Sequence, residues 1–176
     1  MKKAWIETDQ EYIQNLISRP YGWGGMYFYN DCSAELKSLL TPFGIWLPRH
    51  SSYQVTVGKM VDMSAASPEK RLAYLMEKGQ GFLTIIYIGG HVMLYIGDGM
   101  TYQNIWGLSP KPATRRAVIG KSVLLPLLLQ YPEDTTLISL ANKKFFQVSF
   151  LNEFPESTIL LKANRVDLKS LMIGDS

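Results

Sequence analysis

Few residues in this chain can do covalent chemistry, and the most informative is its single cysteine, in the stretch YNDCSAELKSLL from Tyr29 to Leu40. A lone thiol cannot close an intrachain disulfide, so Cys32 is either a small buried hydrophobe or a nucleophile. Asp31 is a strong N-cap residue. Ala34, Leu36, Leu39 and Leu40 after it have the spacing of an amphipathic helix that begins at the cysteine. A thiol in a helix's first turn meets unpaired N–H groups and the positive end of the macrodipole, which favour the thiolate. Its pKa is therefore expected below the ordinary value of about 8.5. On this feature alone the two readings stand level.

A cysteine nucleophile needs a base, and the base needs an orienting partner. Two histidines are available. His50, in LPRHSSYQ, follows a proline in a polar stretch and reads as a solvated loop residue. His91 opens a strand-like run directly after Gly89-Gly90. A histidine there is often satisfied by backbone, yet a helix-start thiol facing a strand-start histidine is how a papain-like site is assembled. His91 is thus the preferred base. The next strand offers Gln103 and Asn104, whose side chains point to opposite faces, so one of them meets the imidazole.

The elements that must hold these groups are legible in outline. Asp9 to Ser18 predicts a short helix with Ile13, Leu16 and Ile17 on one side, ended by Arg19-Pro20. PYGWGGMYFYN then mixes glycine with aromatic rings in a loop, and the Cys32 helix should stop near Phe43-Gly44. GIWLPRHSSYQ leads into a turn and a short helix. Ser67-Pro68-Glu69 opens a further helix that runs to about Lys78. After Gly79, GFLTIIYIGG and HVMLYIGDG are β-branched runs bounded by glycine, expected as adjacent antiparallel strands. Thr101 to Ile105 and Val118 to Leu125 continue the sheet. Thr136 to Leu140 or Phe145 to Phe150 add edges or helices, and Leu160 to Met172 has the spacing of a modest amphipathic helix. Helices first, then sheet, make an α+β fold.

Composition narrows the function. The chain has 176 residues, 47% of them hydrophobic, enough to bury one core. One Cys and two His exclude a structural zinc cluster, and no glycine-rich stretch ending in Lys-Ser or Lys-Thr offers a phosphate cradle. A net charge of +3 is too small to argue for nucleic acid. No run is long and apolar enough to span a bilayer. MKKAWIETDQEYIQ has the lysines of a signal peptide without its apolar core. Location is open: periplasmic or secreted if a targeting segment has been removed, cytoplasmic otherwise.

PYGWGG, DCSAE, GIWLPRHSSYQ, GHVMLYIG and YQNIWG together resemble the NlpC/P60 cysteine peptidases of bacterial cell walls, over about residues 20 to 119. The likeness is greatest to the subgroup whose catalytic domain follows bacterial SH3-like domains. The resemblance implies a papain-like, NlpC-type fold with the nucleophile helix packed on an antiparallel β-sheet, and no metal or cofactor. It implies Cys32 as nucleophile, His91 as general base and later acid, and Gln103 as the third polar residue, where relatives usually show His and sometimes Asn or Gln. Ala34 replaces a usual glycine. Tyr21, Trp23, Asp31, Ser33 and Ser52 are expected to contact substrate; Arg49 and Gln54 are read as structural. The implied reaction is hydrolysis of the γ-D-glutamyl to diaminopimelate (or lysine) amide of peptidoglycan stem peptides, with a free N-terminal L-Ala held by Asp31 and Ser33. The partner would be a stem peptide or muropeptide. Residues 1–19 would be an N-terminal helix or a linker from an SH3-like domain, 20–125 the catalytic core, and 126–176 an extension packed on it. Two alternatives are a non-catalytic murein-binding domain and a papain-like amidase or acyltransferase acting on another amide.

Overall fold

The computed structural model describes residues 13–109, 117–128 and 136–153. Side-chain caps start the helices that matter. Asp31 ends an extended segment and its Oδ1 accepts the Ala34 N–H at 2.9 Å, so helix α1, Cys32–Leu40, begins at the cysteine. Thr41–Phe43 tighten into a 3-10 turn, and Gly44, at φ 78°, takes the left-handed conformation that closes it. His50 caps α2, Ser51–Gln54. Ser67 caps α3, Pro68–Lys78, with the proline in its first turn.

Among the described residues six strands form one antiparallel sheet: β1 Lys59–Asp62, β2 Thr84–Tyr87, β3 Val92–Gly97, β4 Met100–Leu108, β5 Ala117–Pro126 and β6 Gln147–Phe150. Their order across the sheet is β1-β6-β2-β3-β4-β5. The segment Phe145 to Phe150, expected as an edge or a helix, supplies β6 between β1 and β2, paired with both. β1 itself has no sequence signal, because its exposed KMVD run does not alternate. Of the helix expected from Asp9 to Ser18, only the end lies within the described residues: Ile13 and Leu16 are buried, but Ile17 is 38% exposed. The helix expected at Leu160 to Met172 lies outside them.

Strand alternation divides the core. On one face Ile85, Val92, Leu94 and Tyr102 pack with Leu36, Leu39 and Leu40 of α1. On the other, Ile86, Met93, Tyr95 and Ile105 pack with Leu75 of α3, Phe146 and Val148. Leu36 and Leu94 are both fully buried, and each such side chain contributes about 1.5–3 kcal/mol. This packing fixes α1 across β3 and β4, which carries its first residue to the start of β3. Among the described residues no helix is long and apolar enough to cross a membrane.

Candidate active site

Cys32 is the first residue of α1 and is 6% exposed. Its thiol lies against the Val92 N–H, one residue beyond His91, and near the N–H groups of Cys32 and Ser33. The thiol therefore meets the residue that follows His91 in the chain. Burial pushes the thiol above its ordinary range; the Val92 N–H opposes this, and the Asp31 charge adds to it. The expected depression at a helix start is thus overturned. Removal from water outweighs the favourable N–H groups.

Hydrogen bonding determines which nitrogen of His91 is basic. The Thr101 hydroxyl has one proton, and it can satisfy the Leu125 carbonyl only by donating, at 2.9 Å. Its oxygen is left to accept from the Gln103 Nε2 at 3.0 Å, which turns the Gln103 Oε1 toward His91. That oxygen accepts the Nε2–H of His91 at 2.8 Å. The proton of the neutral ring is consequently on Nε2, and Nδ1 keeps the free lone pair. Burial lowers the His91 pKa to about 4; the Gln103 bond opposes the shift and the positive charge of Lys143 adds to it. Strand alternation sends the neighbouring Asn104 the other way, where its Nδ2 donates to the Asn30 carbonyl at 3.0 Å. Of the two amides available in β4, Gln103 is the one that meets the ring. His50 is instead bound to Ser52, with Nδ1 and Oγ 2.9 Å apart.

Asp31 and Ser33, either side of Cys32 in the chain, form a charged cluster with Arg49. Arg49 donates through Nη1 and Nη2 to the two Asp31 oxygens at 2.9 and 2.6 Å, and through Nη1 to Ser33 Oγ at 2.7 Å. Ser33 in turn donates to Asp31 Oδ1 at 3.0 Å. Burial would raise the Asp31 pKa, but bonds from Arg49, the Ala34 N–H and Ser33 outweigh it and hold the carboxyl below its ordinary range. Arg49 thus forms the salt bridge expected of it. Gln54 donates to the carbonyls of Ser33 and Pro48, a loop-backbone role as expected. Ser33 and Asp31 are brought together; Ser52 is occupied by His50. Tyr21 packs against Trp106 with ring centroids 6.1 Å apart, and Trp23 is 77% exposed at the head of the aromatic loop.

The sequence did not single out a buried carboxylate beneath this segment. Glu35 accepts from the Asn30 Nδ2 at 2.7 Å, the Tyr102 hydroxyl at 2.6 Å and the Ser122 hydroxyl at 3.5 Å. Burial and then the Glu35 bond push the Tyr102 pKa far up, so the phenol remains a donor. The Asn30 carbonyl also accepts the Gly22 N–H at 3.0 Å and closes the neck of the aromatic loop, where a Cβ on Gly22 would run into the Met26 carbonyl. The available signal was an acidic residue on the apolar face of a helix.

The sequence profile of the NlpC/P60 family matches residues 18–108, more than half of the chain and a span that includes Cys32, His91 and Gln103. No curated protein matches. Among solved structures, the chain is similar to an NlpC/P60 endopeptidase from Photobacterium damselae subsp. piscicida, with 33% identity and a TM-score of 0.73. That similarity covers 82% of this chain but 38% of the Photobacterium protein. The peptidoglycan hydrolase RipB from Mycobacterium tuberculosis shares the fold, with 18% identity and a TM-score of 0.50 over 85% of this chain and 65% of that one. The helix-start thiol, the strand-start imidazole and the matched profile lead to one conclusion: the chain belongs to the NlpC/P60 family and has its papain-like fold.

Proposed function

We propose that this chain is a cysteine peptidase of the bacterial cell wall, hydrolysing the γ-D-glutamyl to diamino acid amide of peptidoglycan stem peptides through an acyl-enzyme. The observation that carries the proposal is the chain of hydrogen bonds from Thr101 through Gln103 to His91, which leaves Nδ1 of the ring unprotonated, one residue before the Val92 N–H that meets the Cys32 thiol. Family membership and the Photobacterium endopeptidase support the same reading.

At rest both partners are neutral, because burial raises the thiol and lowers the imidazole. As Cys32 Sγ attacks the γ-carbonyl of D-glutamate, its proton passes to His91 Nδ1. Backbone N–H groups at the start of α1, that of Cys32 among them, bind the oxyanion. The imidazolium then gives the proton to the leaving amine, the C–N bond breaks, and a thioester remains. Water attacks the thioester, His91 takes its proton and returns it to sulfur, and the free γ-carboxylate departs. Gln103 keeps the ring oriented throughout and receives no proton.

Asp31 and Ser33 are the proposed contacts for a free N-terminal L-Ala. Both Asp31 oxygens already accept from Arg49, so an incoming ammonium joins a paired carboxylate. Peptides beginning L-Ala-γ-D-Glu should be cut faster than those linked to muramic acid.

One observation favours a second reading, a murein-binding domain without turnover: Cys32 is buried and its thiol raised. Mass spectrometry of purified muropeptides separates the two. The peptidase releases L-Ala-γ-D-Glu, and Cys32→Ala and His91→Ala each abolish that product. Binding without any product from the unsubstituted chain would establish the second reading.

A further inference from the structure

Glu35 is the third residue after Cys32 in α1 and is 1% exposed. Taking a carboxylate out of water costs far more than taking out the leucines beside it, so its place in the core has to be explained by what it binds. Among the described residues it is held by three neutral donors, each from a different element. The Tyr102 hydroxyl of β4 and the Ser122 hydroxyl of β5 donate to Oε1 at 2.6 and 3.5 Å, and the Asn30 Nδ2 donates to Oε2 at 2.7 Å. The bond to Tyr102 has the short length of a hydroxyl on a carboxylate.

Leu36, Leu39 and Leu40 pack α1 on the sheet through apolar contacts. Such packing resists separation but is non-directional, so a helix can slide on it by a fraction of an ångström at little cost. Hydrogen bonds from two strands to one carboxylate cannot follow that slide without bending or breaking. The thiol of Cys32, on the same helix, meets the Val92 N–H. Tyr102 immediately precedes Gln103, whose side chain bonds to His91 from the opposite face of β4. One carboxylate thus ties the helix of the thiol to the strand of the orienting amide.

We propose that Glu35 is a positioning residue: it sets where α1 sits along β4 and β5, and so seats Cys32 against the N–H of Val92, the residue after His91. The effect on turnover rests on the peptidase reading; the seat of the thiol rests on the hydrogen bonds alone. What matters in the side chain is its length, which carries an acceptor from the helix to the sheet, and not its charge. A nucleophile displaced by a fraction of an ångström loses rate while the substrate is still bound as well as before.

Two variants separate length from charge. Glu35→Gln keeps the arm and an acceptor for Tyr102, and its amide N–H can be met by the Asn30 oxygen once that amide turns over. Glu35→Asp keeps the carboxylate on an arm one methylene shorter. On L-Ala-γ-D-Glu-diaminopimelate, kcat per folded molecule should fall by about tenfold to a hundredfold in Glu35→Asp, with KM within about twofold, and by less than about threefold in Glu35→Gln. The NMR resonance of the Val92 amide reports the seat of the thiol without turnover. It should move in Glu35→Asp in the direction that Cys32→Ala moves it, and stay in place in Glu35→Gln. Tyr102→Phe cuts the shortest tie alone; it should show the same displacement with a smaller loss of kcat, and it carries the test if the shortened variant does not fold. An unmoved Val92 amide or an unchanged kcat in the variant that carries the test, or Glu35→Gln as damaging as Glu35→Asp, overturns the proposal. If the unsubstituted chain releases no product, the peptidase reading fails, and the Val92 resonance alone decides the role of Glu35.

Discussion

Arg49 stands half-exposed beside Cys32 and grips side chains, forking onto Asp31 and reaching Ser33. Arg71 lies behind the sheet over the Phe146 ring and, among the described residues, grips main chain: the carbonyls of Met63, Ser64, Ala141 and Lys143. Burial lowers the Arg71 pKa and the Asp62 charge opposes it, whereas bonding to Asp31 raises that of Arg49. The two residues teach different lessons. An arginine paired with a carboxylate leaves a polar, partly solvated surface next to Cys32. An arginine wrapped by carbonyls is a strut, joining α3 to the turn that carries Lys143.

The largest effect expected from this contrast is on stability. Arg71→Met keeps the stem but strips donors from four carbonyls, and should cost about 3–5 kcal/mol in denaturant unfolding. Arg49→Met breaks a partly solvated pair and should cost about 1–2 kcal/mol. Equal losses would show that the two arginines are not different in kind.

Next in size is the response to acid. The folded chain holds His91 near 4, below the ordinary 6.5, so between these values the unfolded chain binds a proton that the folded one does not. The associated stability is present above 6.5 and is lost as the pH falls toward 4, by up to about 3 kcal/mol. Asp31, held below its ordinary 3.8, keeps its contribution until still lower pH. His91→Gln cannot titrate and should flatten the upper window in urea midpoints measured from pH 8 down to about 4. An unchanged slope would mean that some other group carries it.

Much of this was legible in the sequence where the cause is local. Ser67-Pro68-Glu69 carries its own capping chemistry, Gly44 its own left-handed turn, and alternation along one strand separates Gln103 from Asn104. What depends on distant partners was not legible. β6 gains its place only by pairing with β1 and β2, a relation that no window of residues contains. The Cys32 thiol obeys burial by the whole core rather than the start of its own helix. The turn Leu140–Asn142 is tied down by Arg71, far away in sequence, through the carbonyls of Ala141 and Lys143.

Two smaller effects refine the Cys32 side of the comparison. Gln103→Leu keeps similar volume but removes the acceptor that fixes the His91 tautomer. The turnover number should fall by about tenfold to a hundredfold, as expected for losing one bond to a group that becomes charged. Gln103→His, which restores an acceptor, should recover much of it; an equal loss in both variants would deny the orienting role. Arg49→Lys keeps the charge but not the fork, so Asp31 and Ser33 can no longer be bound together. A drop of about tenfold in kcat/KM, mainly through KM, is expected. No change would leave Asp31 and Ser33 without a substrate-side role.

The smallest effect should come from Asn104, which is fully buried next to Gln103 in sequence but on the opposite face of β4. Its Nδ2 donates to the Asn30 carbonyl, while its Oδ1 has no partner among the described residues. Asn104→Ala therefore removes one good bond and one unsatisfied acceptor, two changes that oppose each other. The Asn30 carbonyl keeps the Gly22 N–H, and the Asn30 side chain keeps Glu35, so the neck of the aromatic loop retains two ties. Stability should change by less than about 1 kcal/mol and turnover by less than about threefold. If Asn104→Ala were as damaging as Gln103→Leu, orientation of the imidazole could not be assigned to one strand face, and the neck of the loop would have to be counted as part of the catalytic apparatus.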